Sequence, residues 1–405
     1  MNPFQHIYHR YVDEAAFLWV LRGVAMDQPH YLRDDMRELE ERLRSQLNGI
    51  MTAPEDAWIE CVEALQIGEA GEVFTAAVTA FRCGHKDKIQ QVVEMATESE
   101  QGLAGLASAF DFLPGQLCHV WLKKFFTSKN LRHKRVAMEA CLLRGDDPAE
   151  YLNRILSRAY CREDIPLFVS CLKVAGQFKR VDVRETVVQA AQAEQEELQF
   201  YSLRAQLLIG DHNQVTKLEP FVMNDNPYRD EAIQLAFRLL PEMQARQSIS
   251  TLAADENALR SAVMAMAVFG DPQVINWLLA RMDQPQLAKI CGEAFATITG
   301  AELEAEGLSR DEPECNEDSD NDEFVEIDDD ERLPYPKVNA LREWWASRAD
   351  SFIAGQRYFL GQPINNTVLH TQLAKGYQRQ RHMAALELAL RNPSEMLVST
   401  RGFIR

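Results

Sequence analysis

Residues 259–272 read LRSAVMAMAVFGDP, and this stretch decides the fold. Arg260 opens an alanine-rich run that stops at Gly-Asp-Pro. Gly270 can supply the left-handed conformation that ends a helix, and Asp271 before Pro272 can cap the next one, VINWLLARM. LRHKRVAMEACLLRGDDP from Leu131 follows the same grammar. Working outward, Ala/Leu-rich runs stop at Gly84, Gly115, Gly145, Gly176, Gly210, Pro241 and Gly270, at spacings of 31, 30, 31, 34, 31 and 29 residues. Such a period predicts pairs of short antiparallel helices, one pair per repeat, with small residues permitting close helix contact. Strand signals are weak; VDVRETVV near Val181 fits the start of a helix.

The Leu259 stretch resembles the HEAT-type helical repeat, so the expected fold is all-α: a solenoid of HEAT-like hairpins over residues 55–300. Residues 1–54 are expected to be N-terminal capping helices, with Met36, Leu39, Leu43 and Leu47 forming one apolar stripe at intervals of three and four. Residues 333–405 form a small basic helical segment. Within it Trp344 and Trp345 need burial, and a last helix runs from about Asn366 to Leu390.

Between them lies a charge block. From Glu302 to Glu331 there are sixteen acidic residues and one basic, Arg310, a formal −15 of the chain's −18. Residues 1–301 carry 31 basic and 41 acidic side chains (−10), and residues 332–405 carry 11 and 4 (+7). The chain is electrically segmented, and residues 301–332 read as an acidic, flexible segment. Phe324, Val325 and Ile327, embedded among carboxylates, look more like a docking motif than a pure spacer. Asp318, Asp320 and Asp322 have the one, three, five spacing of a calcium loop. Glu323 stands at the sixth place, where the turn wants glycine, and flanking helices are not evident. No metal is expected there.

The eight cysteines are scattered, never as C-x-x-C and without a histidine at ligand spacing, which fits free thiols in a reducing cytoplasm. No apolar run approaches the roughly 18 residues of a membrane span. There is no Walker loop, dinucleotide fingerprint or G-x-S-x-G elbow, and GEAGEVF from Gly68 reads as a helix junction. No catalytic residue, cofactor or enzymatic activity is expected. A regulatory scaffold that binds nucleic acid through the basic last helix is a further alternative, but the net −10 of residues 1–301 speaks against it, since phosphates need a concentrated basic surface. The expected partner is a protein. Candidate partner-binding residues are Asp318, Asp320, Asp322, Phe324, Val325 and Ile327 in the acidic block, and Lys375, Arg379 and Arg381 on the last helix, which could also meet the block itself.

Several blocks in order carry a wider resemblance: EAAFLWVLR from Glu14, LEERLRSQLNGI ending at Ile50, GEAGEVFTAAVTA from Gly68, CGEAFATITG from Cys291, then DDDERLPYP, EWW, GQRYFLGQPI and GYQRQRHMAALELAL. Together they resemble a bacterial HEAT-repeat-like family often encoded near type VI secretion genes. Tyr335 stands where that family has tryptophan, and the acidic insert is longer here. The resemblance implies a cytoplasmic chaperone or adaptor for a secreted effector or its delivery component, or an immunity protein that neutralises a basic toxin, with no active site to carry over.

Overall fold

Glycine and proline set the helix boundaries in this chain. The computed structural model describes residues 4–313 and 330–405, so Asp318, Asp320, Asp322, Phe324, Val325, Ile327 and Cys315 lie outside the described residues. Helix Leu259–Phe269 ends at Gly270 with φ 73°, and Asp271 then accepts a hydrogen bond from the Gln273 amide at 3.1 Å. Helices Ala70–Cys83, Leu131–Arg144 and Glu196–Ile209 end the same way at Gly84, Gly145 and Gly210.

Two expected stops behave differently. Gly115 begins helix Gly115–Thr127, because Leu113 and Pro114 already make the turn in extended conformations. Gly176 lies inside helix Ile165–Gln177, where a Cβ would sit 3.0 Å from the Ala205 Cα; its role is close helix approach rather than capping.

The chain is an all-α helical-repeat solenoid whose residues fall into two compact units. The first comprises residues 1–27, 31–210 and 393–405. Its spine is a row of helices, Ala70–Cys83, Glu100–Phe112, Leu131–Arg144, Ile165–Gln177 and Glu196–Ile209, each packed on the next. Helices Pro54–Ile67, Lys86–Ala96, Gly115–Thr127 and Arg184–Ala190 flank the row. Phe74, Phe81 and Phe110 are fully buried along the spine. Each such side chain contributes about 1.5–3 kcal/mol through burial. Helices Gln5–Ala25 and Arg33–Ile50 pack on each other and against the first spine helix. Met36, Leu39, Leu43 and Leu47 are all buried, as their spacing predicts.

The second unit comprises residues 28–30 and 211–392. Helices Arg229–Leu239, Leu259–Phe269 and Pro285–Thr299 form its spine. The chain then adds helix Val338–Ala346 and two antiparallel strand pairs that the sequence did not signal, Ser309–Arg310 with Tyr335–Pro336 and Tyr358–Phe359 with Gln362–Pro363. Trp344 and Trp345 are half-buried, edge-on to Phe295. The expected last helix is two: Asn366–Lys375 and Gln378–Arg391. Gly376 takes an extended conformation, and the Gln380 side chain accepts from the Tyr377 amide at 3.1 Å to start a fresh helix.

A loop crosses the spine ends of this second unit. The Tyr358 amide donates to the Gly270 carbonyl (2.8 Å) and the Leu360 amide to that of Thr297 (2.7 Å). Arg357 donates to the carbonyls of Phe269 and Val268 and makes a two-pronged pair with buried Glu387 at 2.9 and 2.8 Å. Arg238 faces the same carboxylate at 3.2 Å, and burial pulls its guanidinium down to about 10.

Two stability predictions follow from the glycine geometry and the thiols. At Gly145 a Cβ meets nothing within 4 Å, whereas at Gly270 it would lie 2.5 Å from the Tyr358 carbonyl oxygen. Gly145→Ala is expected to cost about 1–2 kcal/mol, the strain of a left-handed residue. Gly270→Ala is expected to cost clearly more, read as a larger fall in the urea midpoint. Cys61, Cys118, Cys141, Cys161, Cys171 and Cys291 are buried, and desolvation pushes the Cys61 thiol up to about 12 and the Cys118 thiol up to about 11. Native protein treated with a thiol reagent at pH 8 should leave these six unmodified, while denaturant should expose all of them.

Candidate peptide-binding groove

The last carbonyls of an α-helix have no partner within the helix and carry the negative end of its dipole. In the first unit, the C-terminal ends of spine helices Glu100–Phe112, Leu131–Arg144 and Ile165–Gln177 therefore present acceptors that something must satisfy. Part of the answer is local. The buried Arg144 guanidinium donates to the carbonyls of Phe110, Asp111 and Leu113 at 2.9–3.1 Å and pairs with Asp146 at 2.7 Å.

The rest comes from residues 397–405, LVSTRGFIR, which lie across these ends without regular secondary structure. The Leu397 amide donates to the Gln177 carbonyl at 3.0 Å. A Cβ on Gly402 would collide with the Leu143 carbonyl, so the segment passes hard against that helix end. Arg405 donates to the Arg144 carbonyl at 2.6 Å and to the Asp111 carboxylate at 2.5 Å.

Phe403 is the anchor. It is 7% exposed, stacks on Phe74 at 5.8 Å, meets Phe112 edge-on at 5.1 Å, and lies under the Arg22 guanidinium at 4.0 Å. Two carboxylates receive the backbone beside it. Asp111 accepts from the Phe403 amide at 2.7 Å, and Glu40 accepts from the Ile404 amide at 2.9 Å. Glu40 also pairs with Arg22 at 2.8 Å, and Arg22 donates to the Arg401 carbonyl at 3.1 Å. Arg401 forms a two-pronged pair with Asp27. Burial pushes both the Glu40 and Asp111 carboxyls up, against the pull of the arginines and amides around them.

Of the residues expected to bind a partner on the last helix, Lys375 is exposed at the end of helix Asn366–Lys375. Arg379 makes a two-pronged pair with Glu293 at 2.9 and 2.8 Å and stands 3.7 Å from Asp330, at the edge of the acidic block. Arg381 is buried, with its Nε donating to the Leu373 carbonyl at 3.0 Å. Two of the three are thus engaged inside the second unit. Both described edges of the acidic block are tied down there as well: Glu306 accepts from the Trp344 indole at 2.7 Å, Lys289 pairs with Glu312 at 2.6 Å, and Arg260 pairs with Asp330 at 2.5 Å.

The groove residues Glu40, Asp111, Phe74 and Phe112 lie in ordinary helical sequence, and no motif marks them. The one local signal is TRGFIR, with arginines two residues either side of a phenylalanine. Among the described residues no group of three His, Cys, Asp or Glu could hold a metal ion, and no helix is long and apolar enough to cross a membrane.

Because Phe403 is the buried anchor of the segment, Phe403→Ala should loosen it. Hydrogen exchange at the Leu397, Phe403 and Ile404 amides should quicken at least about tenfold, the tenfold step being about 1.4 kcal/mol of local opening. Spine-helix amides should keep their protection.

Comparison of the chain with protein-family models, with curated proteins and with solved structures finds no match.

Proposed function

We propose that the chain is a non-enzymatic protein-binding scaffold, working in the cytoplasm as a chaperone or adaptor for a type VI secretion effector or its delivery component. One observation carries the binding role: the spine ends of the first unit hold residues 397–405, an irregular segment, through an aromatic socket, amide-to-carboxylate bonds and arginine–carboxylate pairs. Helical-repeat proteins bind through long surfaces of this kind rather than through closed pockets. The link to secretion comes from the sequence blocks named above. Carboxylates in the groove favour a cationic partner segment, by electrostatic complementarity.

Deleting the gene in a strain with an active type VI system separates the outcomes. An adaptor predicts loss of effector export with no killing among sister cells. Killing among sister cells, rescued by removing the toxin, would instead assign an immunity role. Unchanged export and unchanged survival would overturn both.

A further inference from the structure

We propose that the groove over the spine ends of the first unit is a binding site for a segment of another protein with the pattern Arg-Gly-aromatic-aliphatic-Arg, and that residues 401–405 occupy it as a displaceable internal ligand. The inference rests on the scaffold role above and names the chemistry that the scaffold recognises.

The contacts define the occupant. Phe403 is the one residue of 393–405 that is buried; Met396 and Val398 are each 50% exposed, Pro393, Ser394, Arg401 and Arg405 are exposed as well, and the others are partly buried. A segment with one buried ring, main-chain bonds to buried carboxylates and exposed neighbours has the anatomy of a bound peptide: one hot-spot anchor, main-chain bonds and a polar rim. The groove's own cations are already engaged, Arg22 with Glu40 and Arg144 with Asp146. The guanidinium within hydrogen-bond reach of the buried Asp111 carboxylate is that of Arg405. An occupant without a cation at that position would leave a buried charge unpaired, which selects against acidic and purely apolar peptides.

The position before the aromatic is narrower still. The Leu143 carbonyl leaves no room for a Cβ at Gly402, so glycine is required there. Asp27 and the ring-stacking Arg22 fix the first arginine and the aromatic. A tethered occupant acts at an effective concentration on the order of millimolar, so it masks the site from weak ligands and yields to a better-matched one.

The test uses full-length protein and a fluorescein-labelled peptide of sequence LVSTRGFIR. Fluorescence anisotropy should show weak uptake by the unaltered chain and uptake at least about tenfold tighter by the Phe403→Ala/Arg405→Ala chain, whose own segment has let go. Adding Asp111→Asn to that chain should reverse the gain, and a peptide with alanine for phenylalanine should not bind. No binding to the freed groove, equal binding by freed and unaltered chains, or binding of the alanine peptide would overturn the proposal.

Should the double variant unfold, the unaltered chain provides a second reading. Saturating peptide must accelerate tryptic cleavage after Arg401, and unchanged cleavage counts against displacement. A concentration-dependent dimer that the peptide dissolves would assign the groove to a second copy and overturn the partner assignment. Failure here with export still dependent on the gene removes the peptide site and leaves the scaffold standing. Peptide binding with no export phenotype does the reverse.

Discussion

Every helix of a repeat protein ends in carbonyls that its own hydrogen bonds cannot satisfy, and in this chain the spine helices end where the chain itself must cover them. Both units meet the constraint with an irregular segment laid across the helix ends and an arginine that serves carbonyls and a buried carboxylate together. In the first unit Arg405 joins the Arg144 carbonyl to Asp111. In the second, Arg357 joins the carbonyls of Val268 and Phe269 to Glu387. The cation suits the negative end of the helix dipole, and the planar guanidinium has enough donors to serve both acceptors at once.

The two segments differ in how firmly they are held. The loop around Tyr358 is threaded into its unit by amide bonds to Gly270 and Thr297, and Tyr358 and Phe359 are both buried. Residues 397–405 rely on Phe403 and on charge pairs whose arginine side chains are about half exposed, at 55% for Arg401 and 43% for Arg405. The Arg401–Asp27 pair, exposed on both sides, is worth about 0–1 kcal/mol, whereas the partner of Arg405 is the buried Asp111. The strength of the docking therefore rests on the ring and on the desolvated Asp111 and Glu40, which makes it sensitive to what else could fill the socket.

Charge segmentation also takes on a different meaning in three dimensions. The described edges of the acidic block are fastened to basic residues of the second unit, Lys289, Arg260 and Arg379 among them. Arg379 and Arg381, candidate partner-binding residues in the sequence, are largely spent on internal acceptors. Arg401 and Arg405 instead pair with acceptors of the first unit, Asp27 and Asp111.

The helical repeat is legible in the sequence alone. The near-thirty-residue period, the glycine stops and the stripe of Met36, Leu39, Leu43 and Leu47 are local patterns, and helix formation and capping are local physics. The same locality explains what stayed hidden. Gly115 and Gly176 match the stop pattern but serve as a helix start and a close-packing point, because the turn geometry at Leu113 and the approach of Ala205 are not written nearby. The groove is more distant still: Phe403 meets Phe74 and Asp111, roughly three hundred residues away, only once five spine helices have stacked and brought their ends into line. Periodicity specifies which face of a helix is buried; which helix end lies beside which segment is decided by packing, and that is where the binding chemistry resides.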